Sequence, residues 1–210
     1  MRSFLIVSIF FFVFFTSVKS QNIGKGNFII GGDIGFNYEV SNKLNLYSND
    51  NDGESREKNT TISFAPTVGY LLTDWLVIGL EIEYISQNSK IEYDENISYV
   101  GPKEMDLKTG LFSPIVRFYV LNGLFAQIDF SYGIAKYKVE YIDSPILPLD
   151  ATEKTNKTVY GGSLGLGYSF VIKENIIIEP KFNYKKLKYK GDKTDETDNL
   201  IFKIGVKFIL

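Results

Sequence analysis

The 210-residue sequence contains no cysteine and no histidine. Without cysteine there are no disulfides, no thiolate metal sites and no cysteine nucleophile. Without histidine there are no imidazole ligands, no Ser-His-Asp triad and no side chain that ordinarily titrates near neutrality. A charge excess is missing as well: 23 Lys and Arg stand against 25 Asp and Glu, which gives no electrostatic reason to expect nucleic acid as a partner. Also absent are a helical stripe of any length and a Pro/Gly/Ser linker that would divide the chain. Binding, structural or membrane roles survive these exclusions, and neither a cofactor nor a metal site is expected.

One unbroken apolar run is present, and it lies at the start. Arg2 supplies a positive charge, Phe4 to Phe15 are almost entirely apolar, and Val18-Lys19-Ser20 places small residues where a signal peptidase reads them. Residues 1–20 are read as a cleaved secretory signal. A spanning helix would need about 18 or more apolar residues, and Ser8, Thr16 and Ser17 interrupt this run. Because Gln21 rather than cysteine follows the cut, no lipid anchor is expected, and 21–210 form one domain.

That domain reads as eight alternating runs, at roughly 27 to 40, 61 to 72, 76 to 85, 110 to 120, 124 to 135, 159 to 172, 176 to 185 and 200 to 210. Each is long for a globular strand and suits a tilted strand crossing a bilayer, which takes about 9 to 11 residues. Short connections at Thr73-Asp74-Trp75, Leu121-Asn122-Gly123 and Lys173-Glu174-Asn175 alternate with long polar ones at 41 to 60, 86 to 109, 136 to 158 and 186 to 199. Short turns at one end and long loops at the other predict an all-β, eight-stranded, antiparallel up-and-down transmembrane β-barrel with short periplasmic turns and long extracellular loops.

Residue parity assigns the faces, because side chains i, i+2 and i+4 of a strand share a side. Even positions are apolar throughout: Leu124, Ala126, Ile128, Phe130, Tyr132 and Ile134 in the fifth run, Phe202, Ile204, Val206, Phe208 and Leu210 in the last. No even position in any run is charged, although 23% of the chain is. Odd positions carry small residues, such as Gly69, Gly79, Ser113, Ser131, Gly165 and Gly205, mixed with the acids Asp33, Glu39, Glu81, Glu83, Asp129 and Glu179 and the bases Arg117, Lys181, Lys185, Lys203 and Lys207. Small residues with balanced charges suit a narrow barrel interior, so the even face is expected toward lipid. Asp33, Glu81, Glu83, Arg117, Asp129, Glu179, Lys181, Lys203 and Lys207 are expected to form a structural charge network in the lumen. The pair Glu81 and Glu83 has no accompanying nucleophile, and no catalytic residue is assigned.

Aromatic residues gather toward the run ends: Tyr38, Tyr84, Tyr132, Tyr160 and Tyr184 at one, Phe28, Tyr70, Trp75, Phe118, Tyr168, Phe170 and Phe208 at the other, as interfacial girdles do. Together with Gln21 to Phe28 (QNIGKGNF), Phe64 to Leu80 (FAPTVGYLLTDWLVIGL), Ser113 to Tyr119 (SPIVRFY), Gly161 to Phe170 (GGSLGLGYSF) and Glu179-Pro180, in this order, the chain resembles the OmpA/OmpX-type family of eight-stranded outer-membrane barrels, in the form common among Bacteroidota. The resemblance implies integration in the Gram-negative outer membrane, contact with its lipid and lipopolysaccharide, and recognition of the C-terminal strand by the barrel assembly machinery. It implies no shared catalytic residues. Such barrels commonly end in an aromatic residue; this sequence ends Phe208-Ile209-Leu210, with Phe208 in the lipid-facing register.

The function expected is therefore non-enzymatic: a monomeric, side-chain-filled barrel whose four polar loops meet an unknown surface ligand. The alternative is a soluble secreted lipocalin-like barrel binding a small apolar ligand, which would need the apolar face turned inward. An acyltransferase or lipase on the same barrel conflicts with the absence of histidine. A fragment of a calcium loop, Asp50-Asn51-Asp52-Gly53, lacks suitable first and twelfth ligands at Ser48 and Asn59.

Overall fold

The computed structural model describes residues 24–44, 54–93, 102–121, 123–141, 152–190 and 195–210. Nine strand segments follow one another: β1 Phe28–Leu44, β2 Glu54–Thr73, β3 Leu76–Tyr93, β4 Pro102–Leu121, β5 Leu124–Tyr141, β6 Thr152–Tyr168, β7 Phe170–Lys173, β8 Ile176–Lys190 and β9 Asp195–Ile209. β6 and β7 are one strand with a break at Ser169, since both pair with β8 on the same register, Gly167 with Lys181 and Phe170 with Ile178. The break faces Glu179-Pro180, and proline has no N–H to give the ladder. Pro66 and Pro114 act alike: pairing lapses beside each, between Phe64 and Thr67 on the β3 side and between Phe112 and Ile115 on the β5 side.

Every strand pairs antiparallel with its sequence neighbours, and β1 pairs with β9, so eight strands close into a ring. Mutual backbone bonds of 2.9 Å between Phe28 and Leu210 extend that last seam. Two-residue turns at 74–75, 122–123 and 174–175 join the strands at one end. Each follows a one-residue bulge, which supplies the local twist a tight turn needs. Gly123 has φ of 100°, a left-handed conformation that favours glycine there.

The stagger of the ring follows from the pairing. Ile29 pairs with Ile209 on one side; followed the other way through Gly69, Gly79, Ile115, Asp129, Ser163 and Lys185, the ladder reaches β9 at Asn199, ten residues away. Such a stagger on eight strands goes with a tilt of about 40° and an interior only wide enough for side chains.

Parity sorts the two faces. The buried residues inside the ring are odd-numbered, charged ones included, whereas the exposed large apolar residues are even-numbered apart from Trp75, which sits in a turn. From Ile62 to Leu72 along β2 the outward side chains are apolar; at about 3.3 Å per residue and this tilt the band is roughly 25 Å tall, the height of a lipid-facing belt. Rings at the turn side pack in pairs, Trp75 with Phe118 at 6.2 Å and Phe28 with Tyr70 at 5.0 Å between centroids.

The strands run further than the alternation suggests. Much of 41 to 60, 86 to 109, 136 to 158 and 186 to 199, expected as loop, continues the ladder, for example from Ser86–Lys108 to Lys90–Glu104 between β3 and β4. Beyond the apolar belt both faces of a strand are polar, so the period-two signal disappears while the backbone still pairs. What remains of the four long connections, and the proposed signal 1–20, lie outside the described residues, as does Asp50-Asn51-Asp52-Gly53.

Candidate functional site

The lumen is layered. Along β3 its inward residues read Val77, Gly79, Glu81, Glu83, Ile85, and along β8 Ile177, Glu179, Lys181, Asn183, Lys185, Leu187, so charges lie between apolar ends. Ring closure brings these ends together. Ile85, Leu111, Ala135, Val159, Leu187 and Tyr189 form one apolar plate above the charges, with Leu107 and Tyr137 against it. Ile29, Leu71, Val77 and Tyr119 form another below them, on the turn side. Sequence reading placed the charges but not these plates: their residues carry the right parity, yet only closure shows that they converge.

Three groups of polar contacts fill the space between. In the first, Arg117 donates through Nη1 to both oxygens of Glu179, at 2.8 and 3.0 Å, and through Nε and Nη2 to Gln127 Oε1, at 3.1 and 2.8 Å. Its guanidinium lies 4.1 Å from the centroid of the Phe125 ring, a cation–π contact. Ser169 donates to Glu179 at 2.6 Å, so the residue at the β6–β7 break helps hold this carboxylate.

The second group is a chain of alternating signs. Asp33 lies 3.0 Å from Lys207 and 2.6 Å from Lys181. Lys181 reaches Glu81 at 3.6 Å, Glu81 faces Lys203 at 3.7 Å, Lys203 pairs with Glu83, and Glu83 pairs with Lys185. Thr67 accepts from Lys207 at 3.1 Å and donates to Glu81 at 3.4 Å. Glu81 and Glu83 are thus each engaged by two lysines, which leaves neither poised for proton transfer.

Asp129 makes the third group and stands apart. It accepts from Ser131 at 2.9 Å and from Ser163, and Ser113 hydrogen-bonds Ser131 at 2.8 Å. Its charge is met by hydroxyls, not by a base.

All nine residues expected in the lumen therefore lie buried inside the ring. Lys185 joins them, and Glu39, expected inward by parity, is exposed where β1 rises above the belt. The enclosed set is five acids and five bases, which a narrow low-dielectric interior requires for neutrality. The uncharged partners Gln127, Thr67, Ser169 and Tyr119 could not be identified from alternation, which gives the face of a side chain and not its neighbour across the barrel. Among the described residues no cluster of three or more His, Cys, Asp or Glu could hold a metal ion.

No protein-family model matches the chain, and comparison with curated proteins finds no match. Among solved structures it is similar to Ail, the attachment invasion locus protein of Yersinia pestis, at 16% identity over 89% of this chain and 99% of that one, TM-score 0.46. The N-terminal β-barrel domain of Pseudomonas aeruginosa OprF (16%, 89% and 99%, TM-score 0.43) and the outer-membrane protein OprG of the same organism (16%, 89% and 97%, TM-score 0.45) are further neighbours. The chain, by its own pairing and burial, is an all-β, eight-stranded, antiparallel up-and-down barrel with a charged interior and an apolar exterior, and in this it resembles the OmpA/OmpX type.

Proposed function

We propose that the protein is an integral outer-membrane barrel, exported by the signal at 1–20, that acts as a rigid anchor for polar strand ends and loops outside the membrane. Its work is then surface interaction, not catalysis or steady transport. One observation carries this reading: the charges are enclosed and bracketed by two apolar plates, while the outside is an apolar belt with aromatic rings at its edges. A lipocalin-like carrier would show the opposite partition. Insertion as a monomer, through assembly-machinery recognition of the strand ending Phe208-Ile209-Leu210, belongs to the same reading.

Planar-bilayer recording of the purified protein tests it. The lumen should pass no steady current, because crossing it would require ions to displace ion pairs and both plates; rare flickers fit side-chain rearrangement. A stable, large conductance would refute the anchor reading.

A further inference from the structure

Most long polar side chains just above the outer tyrosines have partners. Lys138 pairs with Glu140, Lys186 and Lys188 with Glu196 at 3.1 and 2.6 Å, and Asn88 donates to Glu104 and Asp106 at 2.7 and 2.8 Å. Lys108 of β4 and Lys136 of β5 do not follow this pattern. They are directly opposed in the ladder, both are exposed on the outer face, and neither has an ion-pair partner among the described residues. Like charges at opposed positions repel, so the sheet alone gives no reason for the pair.

Immediately below lies Gly110, outward-facing and flanked in the ladder by Tyr84 and Ile134. A Cβ at this position would meet nothing within 4 Å, so packing does not require glycine. Its missing side chain opens a groove of about 680 Å³ on the outside of the barrel, walled by Ile82, Tyr84, Phe112, Tyr132 and Ile134 with the two lysines at its mouth. That volume is in the range of small-ligand sites. An apolar slot lying within the belt and ending at two free ammonium groups has the layout of a lipid: acyl chain below, anionic headgroup above.

We propose that this groove is a binding site for a phosphorylated glycolipid of the surrounding leaflet, with a headgroup phosphate held between Lys108 and Lys136. The proposal rests on the lipid-facing reading of the belt. A phosphate between them turns the repelling pair into two charge-assisted hydrogen bonds. A sugar headgroup fits better than glycerophosphate because the ladder neighbours are uncharged and polar: Ser86 beside Lys108, Asn156 beside Lys136 and Thr158 beside Ile134 offer a broad hydrogen-bonding surface.

The test uses the full-length barrel in nanodiscs, with retained lipid counted by native mass spectrometry after titration with lipid A or with phosphatidylglycerol. Lys108→Gln/Lys136→Gln and, separately, Gly110→Leu should each weaken lipid A retention by about tenfold, the loss of one charge-assisted contact or of the groove. Lys138→Gln should leave it unchanged. Gly110→Leu points into open space, so its folding, checked by heat-modifiable gel migration, should match the parent. Retention of lipid A unaltered in both variants would overturn the site, and equal, lysine-dependent retention of phosphatidylglycerol would overturn the glycolipid. A protein that stays out of the bilayer altogether would instead refute the lipid-facing reading, which separates the two failures.

Discussion

Removing Glu179 should unbalance the lumen more than its size suggests. Its side chain is 0% exposed and that of Arg117 2%, so neither can be rehydrated without opening the barrel. Glu179→Ala leaves the guanidinium with Gln127 and Tyr119, which satisfy some N–H groups but carry no charge, and deprives Ser169 of its acceptor. Breaking a buried pair by deleting one partner costs about 3 to 5 kcal/mol, and the orphaned hydroxyl adds about 1 kcal/mol. Replacing both partners with apolar residues, Arg117→Met with Glu179→Leu, removes the uncompensated charge and should cost less than either single change, because an ion pair must first recover its own desolvation. Reversible urea unfolding from phospholipid vesicles, followed by the fluorescence of Trp75, the only tryptophan, measures all four corners of this cycle. Single losses below about 1 kcal/mol that add independently in the double variant would show that the two groups are not coupled in a dry interior.

Gly205→Ala should destabilise the barrel by about 1 to 3 kcal/mol in the same assay, because the added methyl meets Asp33 Oδ1 and must displace a carboxylate held by two lysines. Gly110→Ala, with open space around it, is the control and should change stability by less than about 0.5 kcal/mol. Ile128→Lys should cost about 2 to 4 kcal/mol in thick bilayers, whereas Gln127→Lys, one residue away on the other face, should escape that lipid-transfer cost while crowding Arg117.

How much of this was legible in the sequence differs by level. The assignment of faces was, since an alternating strand has a period of two and one residue of slip would turn Glu81, Glu83 and Lys203 into lipid. Turn positions were too: Thr73-Asp74-Trp75, Leu121-Asn122-Gly123 and Lys173-Glu174-Asn175 lie where the ladder reverses. Strand length was not, because above Tyr84 or Tyr132 both faces meet water and alternation is no longer selected. Nor was the pattern of partners. Lys181 and Asp33 are far apart in sequence, and which lysine meets which carboxylate depends on the stagger of the closed ring. Glu39 shows the limit of parity: its number places it inward, but at its height the lumen has ended.

The central claim is that even-numbered strand positions touch lipid and odd-numbered ones do not. Brominated acyl chains quench tryptophan only on contact, so one measurement tests it: in a Trp75→Phe background, single tryptophans are placed at Ile128, Phe130 and Phe125 of β5 and the protein is reconstituted in bromolipid bilayers. Ile128→Trp and Phe130→Trp, replacing side chains 50% and 60% exposed, should be strongly quenched, and Phe125→Trp, replacing a ring that is 0% exposed, should keep its full emission. Quenching at 125 with emission retained at 128 and 130 would mean that the barrel carries its apolar face inward, and the membrane account would fall.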